Sequence, residues 1–192
     1  MMKKRIFLVA VAICCLALAG TGTAAFFVAQ GTAFNVITTG EMAMDLVETT
    51  TDDQPFPEEG IHGVMPGMTY DKKVVVQNIG GVDFYTRILL TGEVLFDDGT
   101  TQPLDLTKLE LDIDTVNWTK QGDYYYYNRA LTPRGEDGVV DVTEPLFTTV
   151  TFVAELGNEY QNATVKLDVN AEAVQSRNNT DSALTAAGWA SN

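Results

Sequence analysis

The chain alternates apolar and polar residues with a period of two along most of its length, which favours strands over helices. In the segment 163–173, Val165, Leu167 and Val169 share one face, and charged or amide side chains occupy the other. Turn-forming residues separate such segments about every 8 to 15 residues. We therefore expect an all-β fold of about eight or nine short strands, arranged as a two-sheet antiparallel β-sandwich.

The predicted elements follow one another with short polar connections. Strands are predicted at 26–37, 42–47, 73–79, 84–96, 109–113, 124–127, 147–156 and 163–173. Pro66-Gly67 and Asp97-Asp98-Gly99 are turn signals, and Gly92 inside a long strand predicts a bulge or a bend. A polar loop at 49–63 carries His62. Short helical turns are expected near Lys108 and at 182–187.

The N-terminal segment has the form of a cleavable signal helix. Lys3, Lys4 and Arg5 precede an apolar run, and small residues at 23–25 place the cleavage between Ala25 and Phe26. Left uncleaved, the uncharged stretch 6–29 is long enough to span a bilayer, which stays an alternative. The predicted organisation is a signal peptide at 1–25, a separate N-terminal strand at 26–40 and one domain at 41–192.

The charge and the cysteine content exclude several classes of function for the exported chain. The net charge is −14, and loss of three cations with the signal leaves −17. This charge argues against nucleic acid and against anionic membrane surfaces. Both cysteines, Cys14 and Cys15, lie within the signal, so the remaining chain offers no disulfide, thiolate nucleophile or thiolate metal site.

The residues give no catalytic or metal site and imply no cofactor. His62 is the single histidine, which excludes a zinc set of histidines and cysteines. The carboxylates at 97–98 and at 112 and 114 could bind calcium through their oxygens, but their spacing does not match an EF-hand loop. We interpret them as turn residues and as residues on the exposed face of a strand. Alternation along Tyr124–Tyr127 places two tyrosines inside and two outside. Tyr125 and Tyr127 are therefore candidate surface-binding residues. Trp189, the one aromatic residue of the polar segment 176–192, is another candidate.

Several short motifs occur in the order found in one family of secreted proteins. The chain resembles the TasA/camelysin family of Gram-positive bacteria at Gly22–Phe26, Pro66-Gly67, Val74–Asn78, Gly157–Asn162 and Val165–Val169. Met68 departs from the family pattern, which has an acidic or polar residue after the Pro-Gly turn. The resemblance covers most of the chain.

The resemblance implies a jelly-roll-like sandwich that assembles into fibres of the extracellular biofilm matrix. It also implies processing by a SipW-type signal peptidase, with only transient contact with the membrane during export. In such fibres the N-terminal strand of one subunit completes a sheet of the next. The segment 26–37 suits this role, because Phe26, Val28, Phe34 and Val36 form a large apolar face opposite small residues.

Two other functions remain open from the sequence. The first is an accessory matrix protein or adhesin that acts as a monomer and binds polymer through exposed aromatic residues. The second is a camelysin-like metalloprotease, although the residues supply no zinc motif on which that activity could depend. We expect a structural protein and no enzyme.

Overall fold

The computed structural model describes residues 42–190, which form twelve strands and three short 3-10 turns. The strands are β1 Met44–Thr49, β2 Ile61–His62, β3 Thr69–Asp71, β4 Lys73–Asn78, β5 Phe84–Leu95, β6 Thr101–Pro103, β7 Leu109–Leu111, β8 Trp118–Gln121, β9 Tyr124–Tyr127, β10 Asp141–Val142, β11 Thr149–Phe152 and β12 Thr164–Gln175. The 3-10 turns are Leu106–Lys108, Asn158–Tyr160 and Ala183–Thr185. The prediction of an all-β chain is confirmed over these residues.

The strands form three sheets, and every strand pair in them is antiparallel. The largest sheet has the order β2-β12-β5-β9-β8, with β6 also paired to β5. The two smaller sheets have the orders β1-β4-β10 and β3-β11-β7. Because β3 and β4 are separated by Lys72 alone, the chain passes at that residue from one small sheet to the other.

The longest pairing joins β5 and β12, which run side by side from Phe84 opposite Gln175 to Leu95 opposite Thr164. Their inward faces carry the alternating apolar residues that the sequence indicated. Val165, Leu167 and Val169 of β12 are buried, as are Ile88 and Leu90 of β5. One large core cluster draws buried residues from all three sheets, so these two strands form its principal wall.

A second, smaller cluster covers the opposite face of the large sheet. Tyr85, Tyr124, Tyr126 and Val174 pack there against Ala183 and Ala186 from the segment after β12. The 3-10 turn at Ala183–Thr185 begins where the Ser182 hydroxyl caps the Leu184 amide. Both faces of this sheet are covered, and the first residues of β5 are accordingly buried on both faces of the strand.

Several predicted details are wrong. The described residues contain more strands than eight or nine, because two- and three-residue strands such as β2 and β10 have no alternation to reveal them. Gly92 makes no bulge, because the β5–β12 register continues through it unchanged, whereas a bend at this residue stays a prediction. The predicted strands at 109–113 and 147–156 stop at Leu111 and Phe152. His62 lies in β2 and not in a loop.

Within residues 42–190, no helix is both long and apolar enough to cross a membrane. The predicted signal peptide and the predicted strand at 26–37 lie outside the described residues.

Candidate functional site

A cleft of about 480 Å³ opens between β1 and β12. Asp45–Glu48 of β1 form one wall and Lys166–Val169 of β12 form the other. The loop residues Pro55–Glu58 and Gly60 line the cleft as well. A cavity of this volume is in the range of ligand-binding sites in proteins.

Both walls of the cleft are strand edges. β1 pairs with β4 on one side, and from Met44 to Val47 no other described strand pairs with its second side. β12 pairs with β5 along its full length, whereas β2 covers its other side only at Thr164 and Val165. From Lys166 onward, that side of β12 pairs with no strand of the region 42–190. Edges of this kind carry backbone N–H and C=O groups suited to pairing with a further strand.

The buried side chain of Lys72 joins the two edges at one end of the cleft. Its ammonium donates to the backbone oxygen of Leu167 on β12 at 2.9 Å. It also lies 2.8 Å from Oε2 of Glu48 on β1 and 4.3 Å from the centroid of the Phe56 ring. The side chain is only 2% exposed, so this charge depends on these contacts for its stability.

The lining of the cleft combines charged side chains of both signs with apolar side chains. Asp45, Glu58 and Asp168 lie among the lining residues together with Lys166. The Lys166 ammonium lies 3.5 Å from Oδ1 of Asp168, and both side chains are about one-third exposed. Leu46, Val47, Phe56, Leu167 and Val169 supply the apolar lining. The cleft therefore suits an occupant with an apolar face and a hydrogen-bonding backbone.

Most predicted site residues lie outside this region. Ala25 and Phe26 of the predicted cleavage site, and Phe26, Val28, Phe34 and Val36 of the predicted donor strand, precede the described residues.

The predicted exposure of the tyrosines at 124–127 is wrong. Tyr127 is only 3% exposed and packs in the large core, with its ring centroid 5.0 Å from that of Trp118. Tyr125 is partly buried against the same core. Tyr124 and Tyr126 point to the other face and are also buried, because the segment after β12 covers that face. The tyrosines do alternate between the two faces, but both faces are covered, so neither pair is fully exposed.

Trp189 is partly buried in the smaller cluster and contacts Tyr126 at 5.7 Å between ring centroids. The indole N–H donates to the Ala183 oxygen at 3.0 Å. Trp189 therefore holds the C-terminal segment against the large sheet.

Arg87 of β5 forms the centre of this second layer. Its guanidinium carbon lies 3.6 Å from the centroid of the Tyr124 ring and 4.8 Å from that of Trp189. Nε donates to Glu172 Oε2 at 2.8 Å, and Nη2 donates to the Ala190 oxygen at 2.8 Å. Burial lowers the pKa of Arg87, but hydrogen bonds to Tyr126 and Glu172 outweigh burial and raise it.

The acidic residues considered as ion ligands have partners within the chain. Asp98 accepts from the Thr100 amide and hydroxyl, which lower the pKa of Asp98. Asp114 accepts from Asn117, which lowers its pKa in the same way. Burial raises the pKa of Asp112, but hydrogen bonds from Thr148 and Thr149 outweigh it and lower that pKa. These carboxylates fix turns and strand ends.

His62 is exposed and its Nδ1 lies 2.9 Å from the Thr164 hydroxyl oxygen. Among residues 42–190, no three His, Cys, Asp or Glu side chains are grouped closely enough to hold a metal ion.

Sequence reasoning missed Lys72, Glu48 and Arg87. Asp71-Lys72-Lys73 reads as an exposed charged triplet, and no local signal distinguishes its buried middle residue. The sequence does carry a signal for the burial of Arg87. Arg87 shares one face of its strand with Tyr85 and Leu89, and the opposite face carries Phe84 and Ile88. Two apolar faces on one strand indicate that both sides of its sheet are covered.

Comparison with protein-family models, curated proteins and solved structures gives no match to this chain.

Proposed function

We propose that the chain is a secreted structural subunit of an extracellular biofilm matrix, similar in fold and assembly to the TasA/camelysin family. In this proposal the domain is a jelly-roll-like sandwich in which the two smaller sheets, β1-β4-β10 and β3-β11-β7, together take the place of the second sheet. The chain is exported and cleaved after Ala25 by a SipW-type signal peptidase. The segment 26–40 of one subunit adds as a strand to the next subunit. The protein is a structural component and has no enzymatic activity.

The single observation that supports this function is the cleft between the free edges of β1 and β12. A strand placed there pairs its backbone with both edges, and its apolar side chains cover Leu46, Leu167 and Val169. The segment 26–37 has the required form, with Phe34 and Val36 on one face and Gly31 and Ala33 on the other. Strand and cleft are therefore complementary in backbone pairing and in hydrophobicity.

Addition of a strand from one copy to the next is a head-to-tail contact. Such a contact does not close on itself, so repetition produces a filament. The strongly negative net charge, −14 for the whole chain and −17 after loss of the three cations in the signal peptide, keeps individual subunits soluble before assembly.

The accessory or adhesin alternative depended on exposed aromatic residues. Tyr127 is buried in the core, and Tyr125 and Trp189 are partly buried, which weakens the support for that alternative.

The function is tested by changing one face of the donor segment at a time. F34D places a charge on the large apolar face, where it would be buried in the cleft without a partner. A33D introduces the same charge one residue away on the small face and is the matched control. We expect negative-stain microscopy and sedimentation to show fibres for A33D and at least tenfold fewer for F34D. Equal fibre yields from the two variants would contradict the proposal.

A further inference from the structure

The position of Lys72 shows where the cleft ends. On β12, Val165 still pairs with Ile61 of β2, and Leu167 is the next residue whose carbonyl points to the same side. On β1, the Glu48 oxygen accepts from the Phe56 amide at 3.3 Å, and Thr49 bridges to Pro55. Both edges are therefore covered at the same end of the cleft.

At this end the Lys72 ammonium takes the place of a backbone donor. It occupies the Leu167 carbonyl, the first such group of β12 beyond β2, and binds Glu48 on the facing edge. The Phe56 ring lies against it on a third side. Two of the three ammonium protons go to Leu167 and Glu48, so at most one is left for an incoming strand.

We infer that Lys72 is the register-determining residue of the cleft, closing one end so that an added strand stops at a fixed position between Leu167 and Val169. This inference rests on the proposed function. Register matters here because a slip of one residue moves Phe34 and Val36 to the outer face and puts Ala33 inside. A fixed end to the cleft excludes that arrangement.

The inference predicts that removal of the Lys72 ammonium broadens the register without abolishing strand addition. K72M keeps most of the side-chain volume and frees the Leu167 carbonyl for an incoming N–H group. K73M is the matched control, because Lys73 is the neighbouring lysine, pairs with Asp53 and does not line the cleft. Both variants are made in the exported chain.

Register is measured by disulfide formation between subunits. D168C places one thiol at the cleft, and a second thiol is placed in turn at residues 32, 33, 34, 35 and 36 of the donor segment. Cys14 and Cys15 are the chain's only cysteines and precede the predicted cleavage, so no native thiol competes. With Lys72 present, and equally in K73M, we expect one donor position to dominate the cross-linked dimers. In K72M the share of that position falls at least twofold, and adjacent positions gain.

The outcomes separate the inference from the proposed function. One dominant position in K72M, unchanged from the parent, overturns the register role of Lys72 and leaves strand addition standing. Absence of any cross-link in the parent overturns strand addition at this cleft, and the register role with it.

A second variant, K72M/E48Q, also removes the facing carboxylate, which K72M leaves without its partner. If near-UV circular dichroism shows both variants unfolded, Lys72 is required for folding and the register role is contradicted.

Discussion

At the scale of single residues, the most informative side chains are charged groups held by specific partners. Lys72 and Arg87 are both buried cations, and each contacts a carboxylate, a backbone oxygen and an aromatic ring. Removing one partner from such a group leaves an unpaired buried charge, which is more costly than losing a surface pair. Sequence patterns do not reveal these contacts, because the partners come from segments distant along the chain.

Asp141 gives a pH-dependent test at this scale. The Arg129 guanidinium donates to both of its carboxylate oxygens, at 2.7 and 2.9 Å, and the Thr132 amide donates at 2.8 Å. These hydrogen bonds, led by those from Arg129, lower the pKa of Asp141 to about 2 from the ordinary 3.8. A carboxylate with a lowered pKa stabilises the fold above its unfolded pKa, and that stability is lost as the pH falls through the folded pKa.

We therefore expect D141N to reduce the free energy of unfolding by about 1–2 kcal/mol near pH 7. This range is smaller than the full pKa shift implies, because Arg129 is half exposed and solvent screens its interaction with Asp141. The difference from the parent stays constant down to about pH 4 and disappears as the pH approaches about 2. Urea unfolding across this pH range measures it. D123N, at an exposed turn carboxylate, is the control. A gap that persists undiminished to the lowest pH would contradict the assigned role.

At the scale of elements, sequence alternation predicted the long strands well and the short ones poorly. β4, β5, β9 and β12 lie where the pattern placed them, because each has enough alternating residues to define a face. β2, β3 and β10 have two or three residues each, and their pairing depends on neighbours that the sequence does not identify. The cleft was not predictable from the alternation of either the long or the short strands, because it depends on which strand edges remain unpaired in the folded domain.

Gly92 tests the packing between the two longest strands. A Cβ built at this position collides with the backbone oxygen of Lys166 and comes within 2.9 Å of the Leu104 side chain. Neither β12 nor the Leu104 segment can move away without disturbing paired backbone. G92A is therefore expected to lower the free energy of unfolding by about 2–4 kcal/mol.

The neighbouring variant T91A is the control for G92A, because Thr91 is exposed on the same strand. Urea unfolding of both variants measures the difference. A midpoint for G92A equal to that for T91A would show that the two strands are less closely packed than the structure indicates.

At the scale of the whole molecule, one architectural fact connects the sequence to the proposed assembly. The described domain leaves one edge of β1 and one edge of β12 free on the two sides of one cleft, and the sequence preceding it contains a segment with strand-like alternation. The all-β class was predictable because periodicity is a local property. The location of the free edges was not, because edge positions depend on the order of strands in the sheets.

The most direct test of strand addition compares the chain 26–192 with a truncation that begins at Glu41. Negative-stain microscopy and sedimentation report assembly, and thermal unfolding reports the stability of each form. We expect fibres from the longer chain and only monomers from the truncation, because the truncation retains the cleft but lacks the strand that fills it. If both chains remain monomeric and equally stable, the segment 26–40 is not a donor strand and the fibre-subunit function is contradicted.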